Sequence, residues 1–206
     1  MNARTKQSTF LSPILVWRVA VICTVLCAGL YAGAQLTTQS FSADKVVTRR
    51  GQTTTAKVYA TPAAFRTEGV QNGKKFIAIE RFDRKVIWSL MPDQMLYVEV
   101  AMPDGAQAAA ALMDLTKGVQ AKNESLGSEQ MDGFLCDKSR TTVTWGGITG
   151  SSTEWAAKEL GGFVVKKQDD TSGEITEYKN IQLGPQDPSL FELPAAYRKM
   201  SLSGGQ

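Results

Sequence analysis

Turn-forming dipeptides recur through most of this chain at intervals too short for helices. Gly51-Gln52, Asn72-Gly73, Pro92-Asp93, Asp132-Gly133, Gly146-Gly147, Gly161-Gly162 and Ser172-Gly173 separate runs rich in Thr, Val, Ile and aromatic residues. Such runs pair with their chain neighbours, because a turn of two or three residues can only return the chain antiparallel. The spacing predicts strands over 41–50, 53–61, 65–70, 75–82, 85–91 and 95–101, and again over 125–130, 134–145, 153–159, 163–167 and 175–181. Between the two sets, the Ala- and Leu-rich stretch 105–117 favours a helix. Asp187 is placed to cap a short helical turn that starts at Pro188.

The first residues are of a different kind. Arg4, Lys6 and Arg18 precede an uncharged run from 19 to 30, and Ala32-Gly33-Ala34 offers a small-x-small cleavage site. This is the pattern of an export signal, with Gln35 as the first mature residue and a periplasmic or secreted destination. An uncleaved N-terminal membrane anchor is the alternative. The expected division is a signal at 1–34, one β domain at 35–200 and a frayed tail at 201–206.

Removing the signal changes the composition that matters. The full chain has 23 Lys+Arg against 20 Asp+Glu, and three of the positive charges lie before Gln35, which leaves 20 against 20. A neutral domain does not suit nucleic acid, whose binding rests on neutralising phosphates. Cys23 and Cys27 leave with the signal, so Cys136 cannot form an internal disulfide and is expected as a small buried hydrophobe.

The chain has no histidine. That removes Ser-His-Asp and Cys-His catalysis and histidine-based zinc sites. Glu80, Asp83, Glu99 and Glu154 are carboxylates on or near strands, and alternation lets them face water. Asp169-Asp170 could offer oxygen ligands to calcium but reads more simply as a polar turn. No Gly-rich phosphate loop joins a strand to a helix. A non-enzymatic protein without cofactor or metal is expected.

Several strands are apolar in both phases. Over 86–91, Val86, Trp88 and Leu90 alternate with Ile87, Ser89 and Met91; over 95–100, Leu96, Val98 and Val100 alternate with Met95, Tyr97 and Glu99. Something must then cover both faces of the sheet. A curled sheet around a cavity and a closed, filled two-sheet core both satisfy this.

Five segments carry a resemblance that spans most of the mature chain. They are Phe41-Ser42-Ala43-Asp44 with Val46; Lys57-Val58-Tyr59; the stretch from Lys85 to Pro92 with Met95-Leu96-Tyr97; Gly133 to Lys138; and Asp187 to Pro194 with Tyr197. In order and spacing they resemble a bacterial exported family known mainly as a domain of unknown function. That family is grouped with the outer-membrane lipoprotein carriers (LolA/LolB-like). The resemblance implies a mainly β fold: a curved antiparallel sheet forming an incomplete, half-open barrel covered by short helices. In the carriers the concavity shelters acyl chains. The expected function is therefore binding of a hydrophobic ligand, such as a lipid or lipoprotein acyl chain, by a monomer with transient membrane or envelope-protein contact. The cavity-lining candidates are Phe65, Ile77, Ile79, Trp88, Leu90, Leu96, Val98, Trp145 and Trp155. A cell-envelope structural or protein-interaction module with a filled core is the alternative.

Overall fold

The computed structural model of the chain describes residues 37–105, 107 and 116–200. They belong to the second of two compact units, Gln35–Gln206. The predicted signal, most of the predicted helix and the tail 201–206 lie outside the described residues.

Strands β1 (Phe41–Arg49), β2 (Gln52–Thr61), β3 (Ala64–Gln71), β4 (Lys74–Arg81), β5 (Val86–Met91) and β6 (Leu96–Ala101) form one meander. A second runs through β7 (Gln120–Met131), β8 (Phe134–Trp145), β9 (Ile148–Ala157), β10 (Phe163–Asp169) and β11 (Ile175–Leu183), and β12 (Arg198–Lys199) follows. All twelve belong to a single sheet in the order β12-β6-β5-β4-β3-β2-β1-β11-β10-β9-β8-β7. β11 pairs with β1 and so joins the meanders, and only β12 against β6 is parallel. The outer strands β12 and β7 do not pair with each other, so the sheet is not closed into a barrel.

The tight turns work as the sequence implies. Asn72 and Gly73 both take positive φ, 52° and 75°, which matches the turn to the twist of β3 and β4. Two boundaries differ from expectation: β7 begins at Gln120 instead of 125, and β9 at Ile148 instead of 153. Ser, Thr and Gly dominate the residues added to β9, and polar residues those added to β7, so no apolar alternation marks them. The pairs Thr144–Thr149 and Trp145–Ile148 nonetheless continue the β8–β9 ladder to its Gly146-Gly147 turn.

The sheet curls strongly toward one face. In a flat sheet the four strand intervals from β3 to β10 would separate them by about 19 Å. Instead the rings of Phe65 on β3 and Phe163 on β10 are 6.2 Å apart. Phe163 also meets Phe41 of β1 edge-on at 5.1 Å and Tyr178 of β11 at 4.8 Å. This concave core draws in Ala43, Val58, Cys136, Trp155 and Leu160. Bulges sharpen the bend: β11 carries one extra residue opposite Ser42–Asp44, and β10 carries one between Val164 and Lys166. Asn180, at φ 54°, sits in the first bulge and donates through Nδ2 to Asp44 at 2.8 Å.

The convex face of β3–β6 is sealed by the C-terminal segment; covering short helices are not seen among the described residues, and most of the predicted helix 105–117 lies outside them. The helical part of this strap is the single 3-10 turn Pro188–Phe191, capped as expected by Asp187, which accepts from the Ser189 amide at 2.9 Å. Phe191 is 4% exposed against Ala64, Ile79, Trp88 and Leu90, with Leu190, Leu193 and Tyr197 packed around them. Arg81 grips the strap, donating to the Phe191 carbonyl at 3.1 Å and to Glu192 at 2.7 Å while Asp83 holds its other side. Arg66 donates to the Leu190 carbonyl at 2.8 Å, and β12 ends the strap on β6.

Candidate functional site

The unbroken register across β1 to β6 assigns every side chain there to a face. Arg66, Ile79, Trp88 and Glu99 lie in one convex row, and Glu68, Ile77, Leu90 and Tyr97 in the next. The concave rows are Phe41–Ala60–Phe65–Glu80–Ile87–Val100, Ala43–Val58–Thr67–Ala78–Ser89–Val98 and Lys45–Ala56–Gly69–Phe76–Met91–Leu96.

The nine cavity candidates therefore do not line one surface. Ile77, Ile79, Trp88 and Leu90 lie on the convex face beneath the strap. Phe65, Leu96 and Val98 lie on the concave face. Trp155 is buried in the concave core, and Trp145 stands 62% exposed at the β8–β9 turn. The separation follows from strands that are apolar in both phases: hydrophobicity identified residues that must be covered but could not say by what.

Trp155 is held by polar partners. Its Nε1 donates to Glu129 at 3.0 Å, and the Lys138 and Lys166 ammonium groups sit 4.8 and 5.0 Å from the ring. Trp88 donates to Glu99 at 2.9 Å. Beside the β10 bulge a cavity of about 190 Å³ opens between Met131, Val165 and Tyr178, edged by the Lys166–Glu177 ion pair. It is smaller than the roughly 300–1,000 Å³ of typical ligand pockets.

The concave face of β2–β6 has a different character. Ala56, Thr67, Gly69, Phe76, Ala78, Ser89, Met91 and Leu96 are all half-buried, neither sealed nor freely exposed. Most are small. A Cβ on Gly69 would lie 3.1 Å from the Phe76 ring and from the Ala56 Cβ, so the bare glycine lets that ring lie flat on the sheet.

Two ionisable side chains interrupt this surface. Glu80, expected to face water, sits in the concave row beside Phe65 and Ile87, and burial pushes its pKa up to about 7 against the opposing pull of Lys45. Burial likewise lowers the pKa of Lys45, while Glu80 and Glu174 favour its charge. Tyr178, opposite Lys45 across the β1–β11 ladder, has its pKa raised by burial and then by Glu80. Lys45 was missed in the sequence, although it breaks the apolar phase of Phe41, Ala43 and Val47.

The other carboxylates are engaged. Asp83 binds Arg81, Glu99 binds Lys199 at 2.6 Å, and Glu154 binds Lys167 at 2.6 Å. Asp169 accepts from the Thr171 and Ser172 amides as a turn residue does, and Asp170 pairs with Arg140 at 2.8 Å. Cys136 is fully buried, as expected. Among the described residues no group of three or more Cys, Asp or Glu side chains could hold a metal, and no helix is long and apolar enough to cross a membrane.

No protein-family model matches the chain, and no curated protein matches it. Solved structures do. An uncharacterized conserved protein from Thermus thermophilus aligns with a TM-score of 0.53 at 12% identity, over 87% of this chain and 98% of that one. The complex of Pseudomonas aeruginosa MucA/MucB aligns at 0.49 and 15% identity over 86% of this chain, which spans 62% of that one. The Mycobacterium tuberculosis lipoprotein LppX aligns at 0.40 and 18% identity, over 82% of this chain and 96% of that one. The likeness to the Thermus protein is one of fold, over nearly the whole of that chain.

Proposed function

We propose that this chain is an exported, non-enzymatic binding protein whose concave β2–β6 face takes a hydrophobic ligand such as a lipid or an acyl chain. The observation that carries this reading is the contrast between the two faces. The convex face is covered by large side chains and the strap, whereas on the concave face the small Ala56, Thr67, Gly69, Ala78 and Ser89 remain half-buried beside the buried Val58, Ile87 and Val98. An acyl chain laid on that face is stabilised by roughly 0.8 kcal/mol for each methylene removed from water, with no catalytic group required. Lys45 and Glu80 give the surface a polar point at which a headgroup can be oriented.

Native mass spectrometry of protein purified from an extract containing membranes tests this. Lipid is expected to co-purify with the wild type and to be lost from Ala78→Phe, which fills the centre of the face. A consistently empty wild-type protein defeats the reading.

One observation favours a second reading, a protein-interaction module. β7 is exposed along almost its whole length of 12 residues and pairs on one side only, so its free edge can add a strand from a partner. A single envelope protein captured equally by wild type and Ala78→Phe would favour it.

A further inference from the structure

The β8–β9 hairpin ends in an apolar tip with nothing packed on it. Trp145 and Ile148 face each other across Gly146-Gly147 and are 62% and 75% exposed, and Val143 lies on the same side. Both glycines take positive φ, and a Cβ at either would meet only open space. The apex is therefore bare backbone flanked by a tryptophan and an isoleucine. From Thr141 to Thr153 the hairpin has no charged residue.

The topology places further exposed apolar groups at the same end of the sheet. The β1–β2, β3–β4, β5–β6, β8–β9 and β10–β11 turns all lie there. Of the eight large apolar side chains left exposed among the described residues, five are at this end: Val70, Met95, Val143, Trp145 and Ile148. The β1–β2 and β3–β4 turns at this end carry Arg49, Arg50, Lys74 and Lys75, while the β5–β6 and β10–β11 turns carry Asp93, Asp169, Asp170 and Glu174, the last paired with Arg49.

We infer that this end of the sheet, led by Trp145 and Ile148, docks on the surface of a lipid bilayer and inserts the hairpin tip among the headgroups. Three features select a bilayer over a second copy of the chain. Tryptophan is favoured at the membrane–water interface because its ring is apolar with a single polar N–H. An uncharged run of 13 residues enters that region without carrying a charge into it. The hairpin tip offers three exposed apolar side chains, Val143, Trp145 and Ile148, against the roughly 20–30 residues per partner that a stable protein interface buries. Arg50 and Lys75 can meet lipid phosphates at the rim.

Hydrogen exchange of the full chain with vesicles of phosphatidylethanolamine and phosphatidylglycerol tests this locally, whatever holds the chain to the vesicle. Amides of residues 143–149 should exchange about threefold more slowly, or slower still, with vesicles present. The protection should vanish in W145S/I148S and persist in L135S, whose exposed side chain lies at the opposite end. The substituted side chains are exposed, so an unchanged melting temperature will confirm folding. Absence of protection in the wild type, equal protection in W145S/I148S, or lipid-independent protection that grows with protein concentration would each overturn the inference. An empty concave face in mass spectrometry would leave it intact.

Discussion

Replacing Glu80 with Gln should stabilise the protein at alkaline pH and leave it almost unchanged near pH 4. Glu80 lies in the concave row with Phe65, Ile87 and Val100, and burial lifts its pKa from 4.5 to about 7 despite the nearby Lys45. The folded protein therefore holds a proton that the unfolded chain has released, and stability falls as pH rises from about 4.5 to about 7. At about 1.36 kcal/mol per pKa unit, the full effect is at most about 3 kcal/mol. Lys45 limits the gain, because the neutral amide in E80Q would leave its ammonium with only Glu174 to favour its charge. Burial also lowers the pKa of Lys45, so its ammonium too is held at a desolvation cost. Below about pH 4 both proteins should lose stability together, as the hydrogen-bonded carboxylates of Asp83, Glu99 and Glu192, whose pKa values are lowered, take up protons. Urea unfolding of wild type and E80Q at half-unit intervals from pH 4 to 8.5 isolates the Glu80 contribution as the difference between the curves. A constant difference across that range would refute the assignment of Glu80 to a desolvated concave site.

Phe191→Ala should destabilise the protein by about 3–5 kcal/mol in urea unfolding, because it empties a buried ring site between Ile79, Trp88 and Leu90. Gly69→Ala should cost about 1 kcal/mol, since its new methyl forces the Phe76 ring away from the sheet, and the same substitution should weaken ligand retention in native mass spectrometry. The Cys136 thiol is fully buried with its pKa raised by burial, so alkylation of the Cys136 peptide, read by mass spectrometry, should be negligible in the folded protein and rapid in urea.

The strands were legible because turn chemistry and β-branched composition are local properties. The curl, the bulges and the assignment of faces were not, because they depend on strands distant in sequence. Trp88 and Phe65 carried equal hydrophobic weight as candidates, and only the register puts them on opposite sides. Trp145 gave the same signal as Trp155, yet one ring is exposed at a hairpin apex and the other lies between two lysines. The motif from Asp187 to Pro194 marked a capped turn, but nothing in its spacing revealed that Phe191 would seal the convex face. Lys45 and Glu80 left the one readable trace of the concave site, as charges placed within otherwise apolar phases.

Side-chain volume separates the two faces more sharply than polarity does. A two-sheet core with no ligand would fill both sides of β2–β6 with large residues, since an unfilled apolar surface forfeits dispersion contacts. The convex side follows that rule with Ile77, Ile79, Trp88 and Leu90, and the strap completes it. The concave side departs from it at Ala43, Thr67, Ala78 and Ser89 in its middle row, and again at Ala56 and Gly69. Small residues let the sheet bend inward until Phe65 meets Phe163. Curvature alone would not require Lys45 and Glu80, whose desolvation opposes folding. Their retention on a face of small side chains supports the proposed reading, in which a ligand with an apolar body and a polar end lies there.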